Sequence, residues 1–133
     1  MAKKLPGRSQ SQTQKVGNIH RVIYLCAFDP TVGFEIKKTR PALVIQNDIG
    51  NRYSALTIVA AITSSISLVT YPVEVVIAPN PENGLGVRSA IRLDQIRSVD
   101  KQRLVRRIGK VDSETLVNVD AAIKISLGLV RDM

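Results

Sequence analysis

The chain has 133 residues, enough to bury one sizeable core, and its 44% hydrophobic and 23% charged content is that of an ordinary globular protein with no apolar run as long as a membrane span. The formal charge is +8, but Lys3, Lys4, Arg8, Lys15 and Arg21 all lie in the first 21 residues with no acid among them, leaving fourteen basic against eleven acidic side chains in the rest. Charge alone is therefore weak evidence for a polyanionic partner, and the single cysteine, Cys26, rules out an internal disulfide and a cysteine-based metal site.

Residues 1–18, with "SQSQTQ" at 9–14, are polar, of low complexity and without aromatics. They read as a disordered basic tail ahead of a single domain over 19–133. Lys3 and Lys4 have no apolar stretch behind them, which points away from a secretory signal and towards the cytoplasm. "RVIYLCAF" at 21–28 predicts a first strand, ended by Asp29, Pro30 and Gly33 in a loop that runs to Arg40. A short buried strand is expected over 41–46, then a turn at "NDIGN", 47–51. "LTIVAAI" at 56–62 and "PVEVVIA" at 72–78 predict a third and a fourth strand, the latter with Val73, Val75 and Ile77 on one face. "PNPENGLG" at 79–86 is a loop and "SAIRLDQI" at 89–96 a fifth strand. A helical turn over 100–104 and a last strand over 105–108 follow. The period then changes: Leu116, Val119, Ile123, Leu127 and Val130 have the spacing of an amphipathic helix, capped by Asp112 or Ser113. Several short strands and one terminal helix imply a β-rich α+β fold, a small barrel closed by a helix.

Residues 35–46, "EIKKTRPALVIQ", place three cations directly against a proline and an apolar run. Pro41 fixes its own φ and pushes Arg40 out of the helical region, so Arg40 stands at the mouth of a rigid strand. Glu35 lies five residues earlier, across the loop. Two readings are open at this point: a solvated basic loop ahead of a core strand, or an anion site with Arg40 aimed at a phosphate.

Three ordered motifs narrow the choice: "DPTVGFEIKKTRPALVIQND" at 29–48, "IVAAIT" at 58–63 and "LDQIRSVDKQRL" at 93–104. Over about residues 22–130 the chain resembles the MazF/PemK family of bacterial toxin endoribonucleases. The resemblance implies an SH3-like barrel of the MazF/CcdB kind that forms a homodimer and cuts single-stranded RNA without metal or cofactor. It implies a 2′,3′-cyclic phosphate and a 5′-hydroxyl as products. The implied partners are messenger RNA and a MazE-like antitoxin whose C-terminal tail covers the RNA groove. By position, the family's catalytic arginine is Arg40, its strand-end hydroxyl Thr63, its acid after the loop glycine Glu35 and its RNA-binding glutamine Gln95. The chain departs from the family pattern at Phe34, where relatives often have serine, at Ala27, where an acid is common, and at Arg21-Val22, where Gly-Asp is usual. Phe34 bears on the RNA preference rather than on the chemistry.

The residues suit that chemistry. Attack by a 2′-hydroxyl needs a proton removed, a leaving oxygen protonated and an anionic phosphorane stabilised. His20 is the one histidine, expected as a solvated residue at the edge of the tail, and cannot fill two roles. Arg40 can offer a phosphate a forked pair of hydrogen bonds, with proton donation to the leaving oxygen as a second role. Thr63 can bond the phosphate or the attacking hydroxyl. Glu35 is either the base or the ion-pair partner of Lys37 or Arg40 that orders the loop. Gln95 either reads a base edge or satisfies a backbone group. Lys37 and Lys38 suit backbone phosphates, and Phe34 either stacks on a base or packs in the loop. Two rivals share the fold: a gyrase-binding toxin of the CcdB kind, whose action relies on a C-terminal tryptophan although this chain has no Trp and ends "LVRDM", and a relative whose loop changes have abolished cleavage.

Overall fold

The strands form where β-branched and small apolar residues cluster, in the order β1 (Val22–Ala27), β2 (Thr39–Val44), β3 (Leu56–Thr63), β4 (Glu74–Ile77), β5 (Ser89–Asp100) and β6 (Leu104–Lys110). Two helices, α1 (Asp48–Tyr53) and α2 (Ser113–Ser126), and a 3₁₀ turn at Lys101–Arg103 complete the fold. This computed structural model describes residues 18–67, 69 and 71–130. The expected tail therefore lies outside the described residues, apart from Asn18. All strand pairings are antiparallel, in one sheet ordered β4-β5-β3-β2-β1-β6. The sheet is open, so "barrel" describes its curl and not a closed ladder. A single backbone bond, Lys110 N–H to Glu82 O at 3.0 Å, ties the loop after β4 to β6 at the other edge. Among the described residues no helix is long and apolar enough to cross a membrane.

Both faces of the sheet are covered. On one face α2 packs through Val119 and Ala122 onto Ile23, Leu43, Ala60, Ile62, Ile91 and Leu93. On the other, Phe28 and Ile19 cover Val22, Cys26, Ala42, Val44, Val59, Ala61 and Val99. This double burial explains why Ala42, Leu43 and Val44 read as a continuous apolar run without alternation. β5 is the long element at twelve residues and is broken by a bulge: Ala60 pairs with Ile96, but the next residue, Ala61, pairs with Arg92. The three residues between, 93–95, bend the strand and let one sheet serve two cores.

Five expectations need correcting. Residues 47–51 are not a plain turn but open α1, because Asn47 accepts from Gly50 N–H at 2.9 Å as its N-cap; residues that favour turns favour caps for the same reason. β2 begins two residues before the expected strand, and β5 runs four residues past its expected end, through the bulge that the apolar pattern conceals. α2 is capped by Asp112 as expected, but it ends at Ser126, with Gly128 at φ +73°, so Leu127 and Val130 lie outside the apolar stripe and are exposed. His20 is only partly solvated: its ring is part-buried with Nδ1 3.1 Å from Gln46 O, and its backbone N–H donates to Asp48 Oδ1 at 2.9 Å.

Candidate functional site

β2 and β3 pair only at Ala42–Ala61, Leu43–Ala60 and Val44–Val59. Pro41, which has no N–H to donate, stands just before that ladder. On its far side β2 pairs with β1 alone, through Cys26–Arg40 and Ala27–Thr39, and β3 with β5 alone, through Ile62–Ile91 and Thr63–Ala90. The pairing of β2 with β3 therefore ends here, a split in the ladder whose two lips carry Arg40 and Thr63. Continued by two residues, the β2–β3 register sets these side chains opposite each other, on the face shared by Ala42 and Ala61. In the adjoining row Ala61 faces Arg92 across β3–β5, and Arg92 faces Glu74 across β5–β4. Ala42, Ala61 and Ala90, all buried, form a floor of small side chains between these polar groups.

Arg40 is exposed, and its Nε donates to Lys37 O at a long 3.3 Å. Thr63 is half-buried and its Oγ1 accepts from Ser65 N–H at 3.1 Å, which leaves the hydroxyl proton to be donated. The loop between β1 and β2 closes at its base through Phe28 N–H to Lys38 O, 2.9 Å, with Lys38 in the left-handed region at φ +66°. Phe34 at its tip is fully exposed and does not pack in the loop, and Lys37 and Lys38 are exposed beside it. Glu35 turns back on its own loop: its Oε1 accepts from Val32 N–H at 2.8 Å, and its N–H donates to Val32 O at 3.1 Å. Of the two readings open for Glu35, the pairing with Lys37 or Arg40 is not formed, because a backbone donor sits in Glu35's own turn. Gln95, in the β5 bulge, satisfies backbone groups of the loop: Oε1 accepts from Ile36 N–H at 3.4 Å, and Nε2 donates to Phe34 O at 3.5 Å.

The structure brings in arginines that the motifs alone do not mark. Arg97 Nη1 donates to Phe28 O at 2.8 Å, and its guanidinium lies 5.6 Å from the Phe28 ring centroid. Arg103 Nη1 donates to Ala27 O at 2.8 Å and to Asp29 O at 2.5 Å. Both fasten the base of the loop from beneath. Arg92 forks onto Asp94, Nε to Oδ1 at 2.8 Å and Nη2 to Oδ2 at 2.7 Å, and lies 4.0 Å from Glu74. The i, i+2 spacing of Arg92 and Asp94 on a strand was a usable signal for that pair; nothing local marks Arg97 and Arg103. Cys26, Arg40's partner across β1–β2, is fully buried, and burial pushes its thiol up to about 11, against the lowering effect of Arg97 and Arg103. Among the described residues no three of His, Cys, Asp and Glu converge as a metal site would need.

Residues 20–127 match the sequence model of a family described as PemK-like, MazF-like toxin of type II toxin–antitoxin system. The chain is 46% identical over 108 residues to "Endoribonuclease EndoA" of Bacillus subtilis (strain 168), covering 81% of this chain and 92% of the relative. It is 41% identical over 107 residues to "Endoribonuclease MazF" of Staphylococcus epidermidis, 80% of this chain and 88% of that protein. Among solved structures, MazE–MazF (Form-II) from Deinococcus radiodurans superimposes with a TM-score of 0.65 at 25% identity, covering 86% of this chain and 98% of that one.

Proposed function

This chain belongs to the PemK-like, MazF-like toxin family, and we propose from that premise that it is a toxin endoribonuclease which cuts single-stranded RNA without metal. The observation that carries the reading is the split between β2 and β3, with Arg40 on one lip and Thr63 on the other. It is supported by 46% identity to a relative named an endoribonuclease.

Arg40 presents its fork to a phosphate in the split and remains charged as negative charge builds on the phosphorane. The Thr63 hydroxyl donates to a non-bridging oxygen of the same phosphate. The base we assign is Glu35, released from Val32 N–H by the incoming nucleotide; Asp94 is held by Arg92, and Glu74 by Ser67 with Arg92 beside it. The 2′-hydroxyl gives its proton to Glu35 and attacks phosphorus. The bond to the 5′-oxygen breaks, and that oxygen takes a proton from Arg40 or from a water it holds. The products are a 2′,3′-cyclic phosphate and a 5′-hydroxyl. Lys37 and Lys38 meet neighbouring phosphates and Phe34 stacks on a base. Gln95 acts on the RNA through the loop that presents Phe34. A homodimer in the cytoplasm and an antitoxin that covers the split complete the reading, the antitoxin supported by the MazE–MazF likeness.

The test is digestion of a mixed-sequence single-stranded RNA in excess EDTA, with both ends of each cut mapped. Cyclic-phosphate and 5′-hydroxyl ends at a recurring short motif are expected. Cleavage that vanishes in EDTA and returns with Mg²⁺, or 5′-phosphate ends, refutes the mechanism.

A further inference from the structure

Arg92 sits between two carboxylates, and each carboxylate leads to a different wall of the split. On one side its fork holds Asp94, which lies inside the three-residue bulge of β5. The bulge's last residue is Gln95, whose amide bridges Phe34 O and Ile36 N–H of the loop ahead of Arg40. On the other side Arg92 lies 4.0 Å from Glu74, whose side chain is only 3% exposed. Glu74 accepts from Ser67 Oγ at 3.2 Å and from Ser67 N–H at 3.4 Å, in the segment that follows Thr63. The same guanidinium stands one row from Arg40 and Thr63, across the alanine floor.

We propose that Arg92 is the positioning residue of the candidate site, holding its two walls in register through Asp94–Gln95 and through Glu74–Ser67. The inference rests on the reading of the split as the RNA site.

Three features favour a positioning role over a phosphate contact. The local charge is one guanidinium against two carboxylates, which repels a phosphate. Nε and Nη2 are already committed to Asp94, and a forked pair fixes direction as well as distance. Gln95 reaches the loop only through bonds of 3.4 and 3.5 Å, the long end of the range. A strap that weak holds only if its root is rigid, and the Arg92–Asp94 fork, anchoring the middle of the bulge, supplies the rigidity. Without Arg92, the largely buried Glu74 loses its cation and Asp94 is free to turn, so both walls loosen together.

The experiment has two arms on the full chain. Trypsin cleavage at Lys37–Lys38 under native conditions reads the order of the loop, with Arg52 in α1 and Lys124 in α2 as reporters of global opening. Arg92→Met is expected to raise cleavage at Lys37–Lys38 about tenfold, a local opening, while the two helix sites stay at the parental rate. Gln95→Ala is expected to do the same, and the double variant to exceed neither single by more than about twofold, because both act on one strap. Arg92→Lys keeps the charge without the fork and is expected to recover only part of the protection. In RNA cleavage, Arg92→Met is expected to raise KM about tenfold and lower kcat less than about threefold, since Arg40 stays on its strand. Parental trypsin kinetics for Arg92→Met, or effects of Arg92→Met and Gln95→Ala that multiply, overturn the proposal. If the wild-type protein cuts no RNA, the functional reading fails, and the trypsin arm still decides the strap.

Discussion

Arg40 and Arg97 share one face of the sheet and one chemistry, yet the roles proposed for them are opposite. Arg40→Ala removes an exposed side chain whose hydrogen bond among the described residues is a 3.3 Å contact with Lys37 O. Such a bond contributes at most about 0.5 kcal/mol in water, and no apolar area is uncovered, so the melting temperature should move by less than about 3 °C. Cleavage should fall by about 10²–10³-fold, the usual loss when one preorganised donor to a developing oxyanion is removed, or about 2.7–4 kcal/mol. Arg97→Ala should do the reverse. It deletes a 2.8 Å charge-assisted bond to Phe28 O and the contact with the Phe28 ring. Together these are worth about 2–4 kcal/mol, so melting should drop on the order of 10 °C. Its rate at a temperature where it is folded should stay within about tenfold of the parent. Single-turnover cleavage of a short RNA, with circular-dichroism melts of each variant, separates the two. Parental cleavage by Arg40→Ala, or an Arg40→Ala melt as low as that of Arg97→Ala, would refute the assignment.

Thr63→Val keeps the shape at the other lip and removes the hydroxyl; cleavage should fall about 10–100-fold with the melt nearly unchanged, as read in the same two assays. Gly84→Ala should destabilise by more than about 3 kcal/mol in urea titration, because a Cβ there would lie 2.3 Å from the Ile108 carbonyl oxygen at a φ of +70°. Asp48 sets an acid limit. Burial alone would raise its pKa, but hydrogen bonds from His20 N–H, Asn51 Nδ2 and Ile19 N–H outweigh it and hold the carboxyl below its ordinary value. A depressed folded pKa means the contribution is complete above the unfolded value and lost as pH falls through the folded one. The urea midpoint of Asp48→Asn should therefore fall less between about pH 5 and pH 3 than that of the parent; equal slopes would show that Asp48 contributes nothing.

Strand positions were legible because burial on both sides leaves unbroken apolar runs such as Ala42–Leu43–Val44 and Val59–Ala60–Ala61. Arg40 was legible for a local reason, a proline that fixes the backbone beside it. What stayed hidden depends on partners distant in the chain. The β5 bulge has no local mark in "IRLDQIRSV", since it follows from pairing with β3. Arg97 and Arg103 look like surface cations until the carbonyls of residues 27–29, some seventy positions away, are placed above them. Glu35 shows the limit from the other side: its charge suggested Lys37 or Arg40, but a backbone N–H three residues back was nearer.

Pro41 has a second effect beyond fixing Arg40. An inner strand is an unfavourable place for proline, because every residue there has a neighbouring strand to which its N–H is aimed and the imide nitrogen can give none. Here the neighbours divide: β1 pairs with β2 through Pro41 and on to Thr39, whereas β3 is paired only from Ala42. The missing donor thus coincides with the point where β2 and β3 part. A residue such as valine at position 41 would supply the missing N–H and let the ladder continue towards Arg40 and Thr63. The proline fixes the backbone beside Arg40 and, by withholding one N–H, ends the β2–β3 ladder just before Arg40 and Thr63.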